Sequence, residues 1–273
     1  MSVTATLVER PPPRARGWPR SRVIGYAMVG FWILFGLGIV SYLIFAWNAD
    51  FFAKYAPAYL KGLQTTLLLV CISMVLGAIL SVPVAYGRMS SNRLLSGLAY
   101  CYVYFFRGTP LLVQTYLVYY GLGSFRTELQ TVGLWDFFKD AFNCGVFAFA
   151  LNTAAYQAEI LRGAIESVPR GQWEGAASLG LHKLQTLRKI ILPQALIVAL
   201  RPYGNELILM VKASAIVAII TVYDLMGQAK LAFANSFDIQ AYIWVALVYL
   251  VMVEILRHGV EWIERRITIH LKR

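Results

Sequence analysis

Six stretches of this chain run for 15 to 29 residues with almost no charge: 24–46, 62–87, 94–122, 141–158, 194–222 and 239–253. A bilayer's hydrocarbon core is about 30 Å thick, and about 20 apolar residues in a helix cross it. At that depth no water satisfies backbone N–H and C=O groups, so runs of this length must close their hydrogen bonds internally, as helices. The expected fold class is therefore all-α and polytopic, with six spans. Composition agrees: 59% of the residues are hydrophobic and 14% charged, where a soluble domain carries about a quarter charged.

The net charge of +11 raises the possibility of nucleic acid, and the placement of the basic residues argues against it. They fall in clusters between the apolar runs and form no continuous basic face. Seventeen of the 25 Lys and Arg lie on one side of the expected spans, from Arg10, Arg14, Arg16, Arg20 and Arg22 through Arg88, Arg93, Arg162 and Arg170 to Arg265, Arg266, Lys272 and Arg273. Five lie on the other: Lys54, Lys61, Arg126, Lys139 and Lys230. Positive residues stay on the cytoplasmic side, so both termini are expected in the cytoplasm. Residues 1–23 read as a basic tail, with Pro11–Pro13 and arginines suited to anionic lipid, and 264–273 as a second one. The run 24–46 exceeds the apolar core of a secretory leader, about 7–15 residues, and is read as an uncleaved anchor.

Cys71, Cys101 and Cys144 all sit inside apolar runs, and His182, His258 and His270 are scattered. Neither set has disulfide or metal spacing, and small buried hydrophobes are the expected role for the cysteines. No nucleophile and base, and no metal cluster, stand together at membrane depth, which disfavours a membrane hydrolase. A phosphate-binding G-x-x-x-x-G-K-[ST] loop is absent from the sequence, so the chain alone is not expected to hydrolyse ATP.

The most informative stretch is the cytoplasmic loop 166–193, between the fourth and fifth runs. From Gln172 it has helical character with small residues at Gly175, Ala176 and Ala177. Gly180 permits a tight turn, a second helical stretch follows, and Pro193 suits the first turn of the next helix. A helix, a glycine turn and a helix make a compact knob. Its small side chains let a partner approach the backbone, and Leu179 and Leu181 are placed to enter a groove on that partner. An ordinary amphipathic connection fits the same pattern.

This segment resembles the cytoplasmic coupling motif of bacterial ABC importer permeases: E-A-A, three residues, G, nine residues, I-x-L-P. Glu174, Ala176, Gly180, Ile190, Leu192 and Pro193 match it at full spacing, with Gly175 in place of the usual alanine. That exchange costs the helix about 1 kcal/mol of intrinsic propensity. Phe106–Pro110, Asn152–Gly163 and Leu192–Leu196 are similar to permeases for polar amino acids and opines, the histidine, arginine, glutamine and octopine systems. The resemblance covers the chain from about Lys61. It implies a five-helix permease core over 61–263, to which the run 24–46 adds a further N-terminal helix. It also implies placement in the bacterial inner membrane, two cytoplasmic ATPase subunits that hold ATP-Mg, a second permease, more often a related chain than an identical one, and a periplasmic amino-acid-binding protein. No cofactor of this chain's own is implied. The coupling residues it implies are Glu174, Gly175, Ala176, Gly180, Leu181 and Pro193.

Charges at bilayer depth cost at least ~2.5–3.5 kcal/mol each and need a partner or a cavity. Arg107, Glu159, Arg201, Glu206 and Lys212 are such charges. Arg107 stands beside Gly108, Thr109 and Pro110, where helical hydrogen bonding breaks, as it does beside a cavity. Asn152, Tyr156 and Glu159 recur at four and three positions and share a helix face. A zwitterionic solute needs acceptors for its ammonium, which Glu159 or Glu206 offers, and donors for its carboxylate, which Arg107 offers. Structural pairing is the other reading: Arg107 in a salt bridge, and Arg201 with Glu206. Two intramembrane glutamates tilt the reading toward a basic amino acid or an opine, while Arg107 and Lys212 suit acidic ligands. An ion-coupled secondary transporter, using the same carboxylates, is the rival function. On this reading Glu159→Gln lowers transport and leaves assembly intact.

Overall fold

The computed structural model describes residues 19–45 and 47–269. Most of the expected N-terminal tail, with Arg10, Arg14 and Arg16, and residues 270–273 lie outside the described residues, whereas the expected C-terminal tail begins inside the helix that runs to Thr268. The chain divides into two units, 1–51 and 52–273. In the first, α1 spans Arg20–Phe45 and none of its residues is buried. At about 1.5 Å per residue its 26 residues are long enough to cross a bilayer.

The second unit begins within α2 (Ala49–Arg88), a 40-residue helix that continues through Pro57 and Pro83. It starts thirteen residues before the expected boundary at Gly62, because Tyr55 and Tyr59, four positions apart, bury one face of the added turns. Then come α3 (Arg93–Gly108), α4 (Leu111–Tyr116) and two short helices, α5 (Arg126–Thr131) and α6 (Trp135–Phe138). The buried centre is α7 (Ala141–Glu166), with fifteen of its 26 residues buried. After it come α8 (Arg170–Ser178), α9 (Lys183–Thr186), α10 (Leu192–Ala213), α11 (Leu225–Ser236) and α12 (Gln240–Thr268). No strand occurs among the described residues.

α7 packs on α3, α4 and α10, and α10 packs on α12. Its small residues permit close approach: a Cβ on Gly77 of α2 would collide with Thr153 of α7. Near the loop side, Ala85, Ala158, Leu161, Ile165, Ile191 and Ala195 form one apolar cluster that joins α2, α7 and α10.

Against six expected spans, four helices among the described residues are long and apolar enough to cross a membrane: Arg20–Phe45, Ala49–Arg88, Lys183–Ile220 and Gln240–Thr268. The third is a continuous helical run through α9 and α10. The other two runs fall short for different reasons. The run 94–122 breaks at Thr109–Pro110, because proline has no N–H and forces its neighbour out of the helical region. Helix α7 has the length but carries Asn143, Asn152, Thr153 and Gln157. A helix enclosed by other helices does not need a lipid-facing surface.

Candidate functional site

Two sites emerge, one in the loop after α7 and one at the break between α3 and α4. In the loop, α8 ends in a Schellman motif. Gly180 takes φ +71°, its N–H donates to Ala177 O at 2.9 Å, and Leu181 N–H donates to Ala176 O at 3.1 Å. The left-handed turn satisfies carbonyls that the helix end leaves open. His182 then caps α9, its Nδ1 accepting from Leu184 N–H at 3.3 Å. Ala176 is buried and Leu181, expected at the tip beside Leu179, is half-buried, whereas Leu179 is 79% and Leu184 66% exposed. Gly175 has nothing near its missing Cβ, so an alanine there is sterically free. Glu174 forms no ion pair among the described residues. It lines a groove of about 1080 Å³ together with Glu166, Arg170, Trp173, Lys183 and Leu187.

Pro193 stands in the first turn of α10, as expected, but that helix has no free start. Helical structure runs into it from Lys183 without a stop, and Leu187–Ile191 is wound as a π-helix. The wider π turn accommodates the hydrogen bond that proline cannot make. Gln194 Nε2 donates to Ile190 O at 2.9 Å and reaches Gln172 Oε1 of α8 at 3.5 Å, tying the knob to the long helix.

At the second site α3 ends at Gly108, with Thr109 and Pro110 extended (ψ 147° and 134°). Phe105 O keeps two donors, Thr109 N–H at 3.1 Å and Thr109 Oγ1 at 2.8 Å. Phe106 O accepts from Gln114 Nε2 and from Asn152 Nδ2, each at 2.9 Å. Gln114 also donates to Thr109 Oγ1 at 2.7 Å, and its Oε1 accepts from Asn152 at 2.9 Å. Thr109 and Asn152 thus act on the break itself, through Gln114. Its signal in the sequence is a single amide in an apolar run.

Arg107, Tyr156 and Glu159 come together in a cleft of about 370 Å³, with Arg88, Tyr100 and Tyr104 on its wall. Arg107 lies over the Tyr156 ring at 5.1 Å and Arg88 over Tyr100 at 5.0 Å. Glu159 Oε1 accepts from Arg88 Nε at 2.8 Å, and Oε2 accepts from Arg162 Nη2 at 2.8 Å. Arg162 continues to Glu166 at 2.6 Å, one turn nearer the loop. Both Glu159 oxygens thus already accept from arginines, with the side chain 14% exposed on the cleft wall. Arg88 and Arg162 were visible in the sequence only as loop charges.

Glu206 stands apart from that cleft. It is 6% exposed and accepts from Thr153 Oγ1 at 2.9 Å. The suggested Arg201–Glu206 pair does not form; Arg201 Nη2 meets Glu264 Oε1 at 2.9 Å. Five positions place two residues over 100° apart around a helix, so they point to different neighbours. Arg201, Asn205, Leu209 and Lys212 are exposed along one face of α10. A face with these polar groups is unsuited to lipid.

The chain matches the family described as binding-protein-dependent transport system inner membrane component over residues 73–269. It is 44% identical over 195 residues to the nopaline transport system permease protein NocM of Agrobacterium fabrum, covering 71% of this chain and 81% of that one. The arginine ABC transporter permease protein ArtM of Haemophilus influenzae is 37% identical, over 68% and 82% of the two chains. Among solved structures, the crystal structure of an amino acid ABC transporter with histidines superposes with a TM-score of 0.70 at 37% identity. That match covers 80% of this chain and 99% of the other.

Proposed function

This chain belongs to the binding-protein-dependent transport system inner membrane components, and we propose that it is one permease half of an ATP-driven importer for a polar amino acid or opine. It is an all-α membrane permease component, a class that is not itself catalytic. Two cytoplasmic ATPases carrying ATP-Mg supply the work, a second permease completes the path, and a periplasmic binding protein delivers the solute. Both termini face the cytoplasm. The ion-coupled rival is set aside by the family.

One observation carries the coupling part of this reading. The loop after α7 presents two apolar side chains, Leu179 and Leu184, at 79% and 66% exposure on a segment fixed by Gly180 and buried Ala176. Such residues are suited to a groove on a soluble partner, with the Glu174 carboxylate, which has no ion pair among the described residues, available to a partner's cation. Helix α8 is joined to α10 through Gln172 and Gln194, so a push on the knob reaches the long helix directly. The polar exposed face of α10 supports a path shared with a second permease.

Alternating access follows if the ATPases, on closing, move the knobs and bias the spans between two states. The test is solute uptake into vesicles that hold the assembled complex. Uptake that requires ATP inside and the binding protein outside supports the reading. Uptake driven by an ion gradient without ATP contradicts it.

A further inference from the structure

Of the three charged side chains lining the 370 Å³ cleft, Arg88, Arg107 and Glu159, Arg88 spends its Nε on Glu159, whereas Arg107 makes no hydrogen bond among the described residues. Glu159 is committed on both oxygens: Oε1 accepts from Arg88 Nε at 2.8 Å and Arg162 Nε at 3.2 Å, and Oε2 from Arg162 Nη2 at 2.8 Å. Arg107 Nη1 stands 4.0 Å from Glu159 Oε2, beyond hydrogen-bond reach. Its guanidinium is held over the Tyr156 ring, and its side chain is 44% exposed.

A fork of five donors, oriented by a ring and held only by the 4.0 Å ion pair to Glu159, fits a carboxylate bidentately. A cationic group entering the same space meets only the Glu159 carboxylate, whose two oxygens already accept from Arg88 and Arg162. Glu206 does not line the cleft, and Glu159 would have to release an arginine. The exposed ring of Tyr104, stacked on Tyr100 at 5.9 Å, offers a guanidinium only a cation–π contact, worth about 0.5–1 kcal/mol at an exposed site. Lys212, on the exposed face of α10, is a further cation with no ion-pair partner among the described residues.

We infer that this cleft holds the solute by a carboxylate on Arg107 and selects amino acid derivatives whose carboxylates outnumber their cationic groups. This rests on the importer reading and narrows its substrate class, to anionic opines rather than basic amino acids.

Nopaline, octopine and arginine test it, since they carry three, two and one carboxylates against the same two cationic groups. The complex of permeases and ATPases, in nanodiscs without the binding protein, is titrated with each by calorimetry. Affinity falls along that series, nopaline exceeding arginine by at least about tenfold, the size of one charge-assisted hydrogen bond. Arg107→Gln brings the ratio close to one, and Arg107→Lys, which keeps the charge but not the fork, leaves it in between. Equal affinities, arginine binding tightest, no saturable binding by any of the three, or a ratio that survives Arg107→Gln each overturn the inference. Should Arg107→Gln fail to fold, the wild-type series and Arg107→Lys decide. Retention of the ATPases through purification is read separately. Their loss contradicts the importer reading, whereas retention with a flat series overturns the cleft assignment alone.

Discussion

Arg88 Nε and Glu159 Oε1 stand 2.8 Å apart although 71 positions separate them in the chain, so the last residue of α2 is fastened to the last third of α7. Their side chains are 18% and 14% exposed, which leaves little water to take over either charge. Glu159→Gln would leave Arg88 beside a neutral amide, while Arg162 keeps only Glu166. The sequence alone suggested that this substitution spares assembly; the geometry predicts lost stability as well as lost transport. Thermal unfolding of Arg88→Gln, Glu159→Gln and the double variant should give a coupling of about 1–3 kcal/mol. Additive effects would show that the pair is not energetically joined.

Gln114 is predicted to matter more than its place in an apolar run suggests. Gln114→Leu keeps the volume but removes a donor from Phe106 O and the acceptor of the Asn152 amide. Each buried group left unpaired costs about 1–3 kcal/mol. The expected result is a lower unfolding temperature together with reduced uptake. Wild-type values for both would mean that the α3–α4 break is held by other contacts.

At Gly180 the backbone sits at φ +71°, where a β-branched side chain is strained by about 1–3 kcal/mol. Gly180→Val should therefore distort the knob and reduce solute-stimulated ATP hydrolysis in the assembled complex. Gly180→Asn, which tolerates the left-handed region, should retain most of it. Similar activity in the two variants would remove the turn from the coupling route.

How legible all this was in the sequence depended on how local each feature is. Gly180, Pro110 and the spacing from Glu174 to Pro193 act on their own few residues, and the structure places a left-handed turn, a helix break and a short helix–turn–helix there. The shared face of Asn152, Tyr156 and Glu159 also follows from helix geometry. What that face meets did not. Asn152 finds Gln114 across 38 positions and Glu206 finds Thr153 across 53, and no single-sequence pattern registers such pairs. Glu159 looked like an acceptor for a solute because Arg88 and Arg162 read as loop charges. Helix α7 forms where a span was expected, and its enclosure by protein explains the polar Asn152, Thr153 and Gln157 along it.

Co-purification of the ATPase with a variant at the exposed tip of the knob tests the coupling claim most directly. Leu179 is 79% exposed, so Leu179→Glu should leave the unfolding free energy of the isolated permease within about 0.5 kcal/mol of wild type, as for an ordinary surface change. The account predicts that the ATPase no longer accompanies this variant through purification, while a distant exposed change such as Val132→Glu retains it. Full retention of the ATPase by Leu179→Glu would contradict the docking role assigned to this loop.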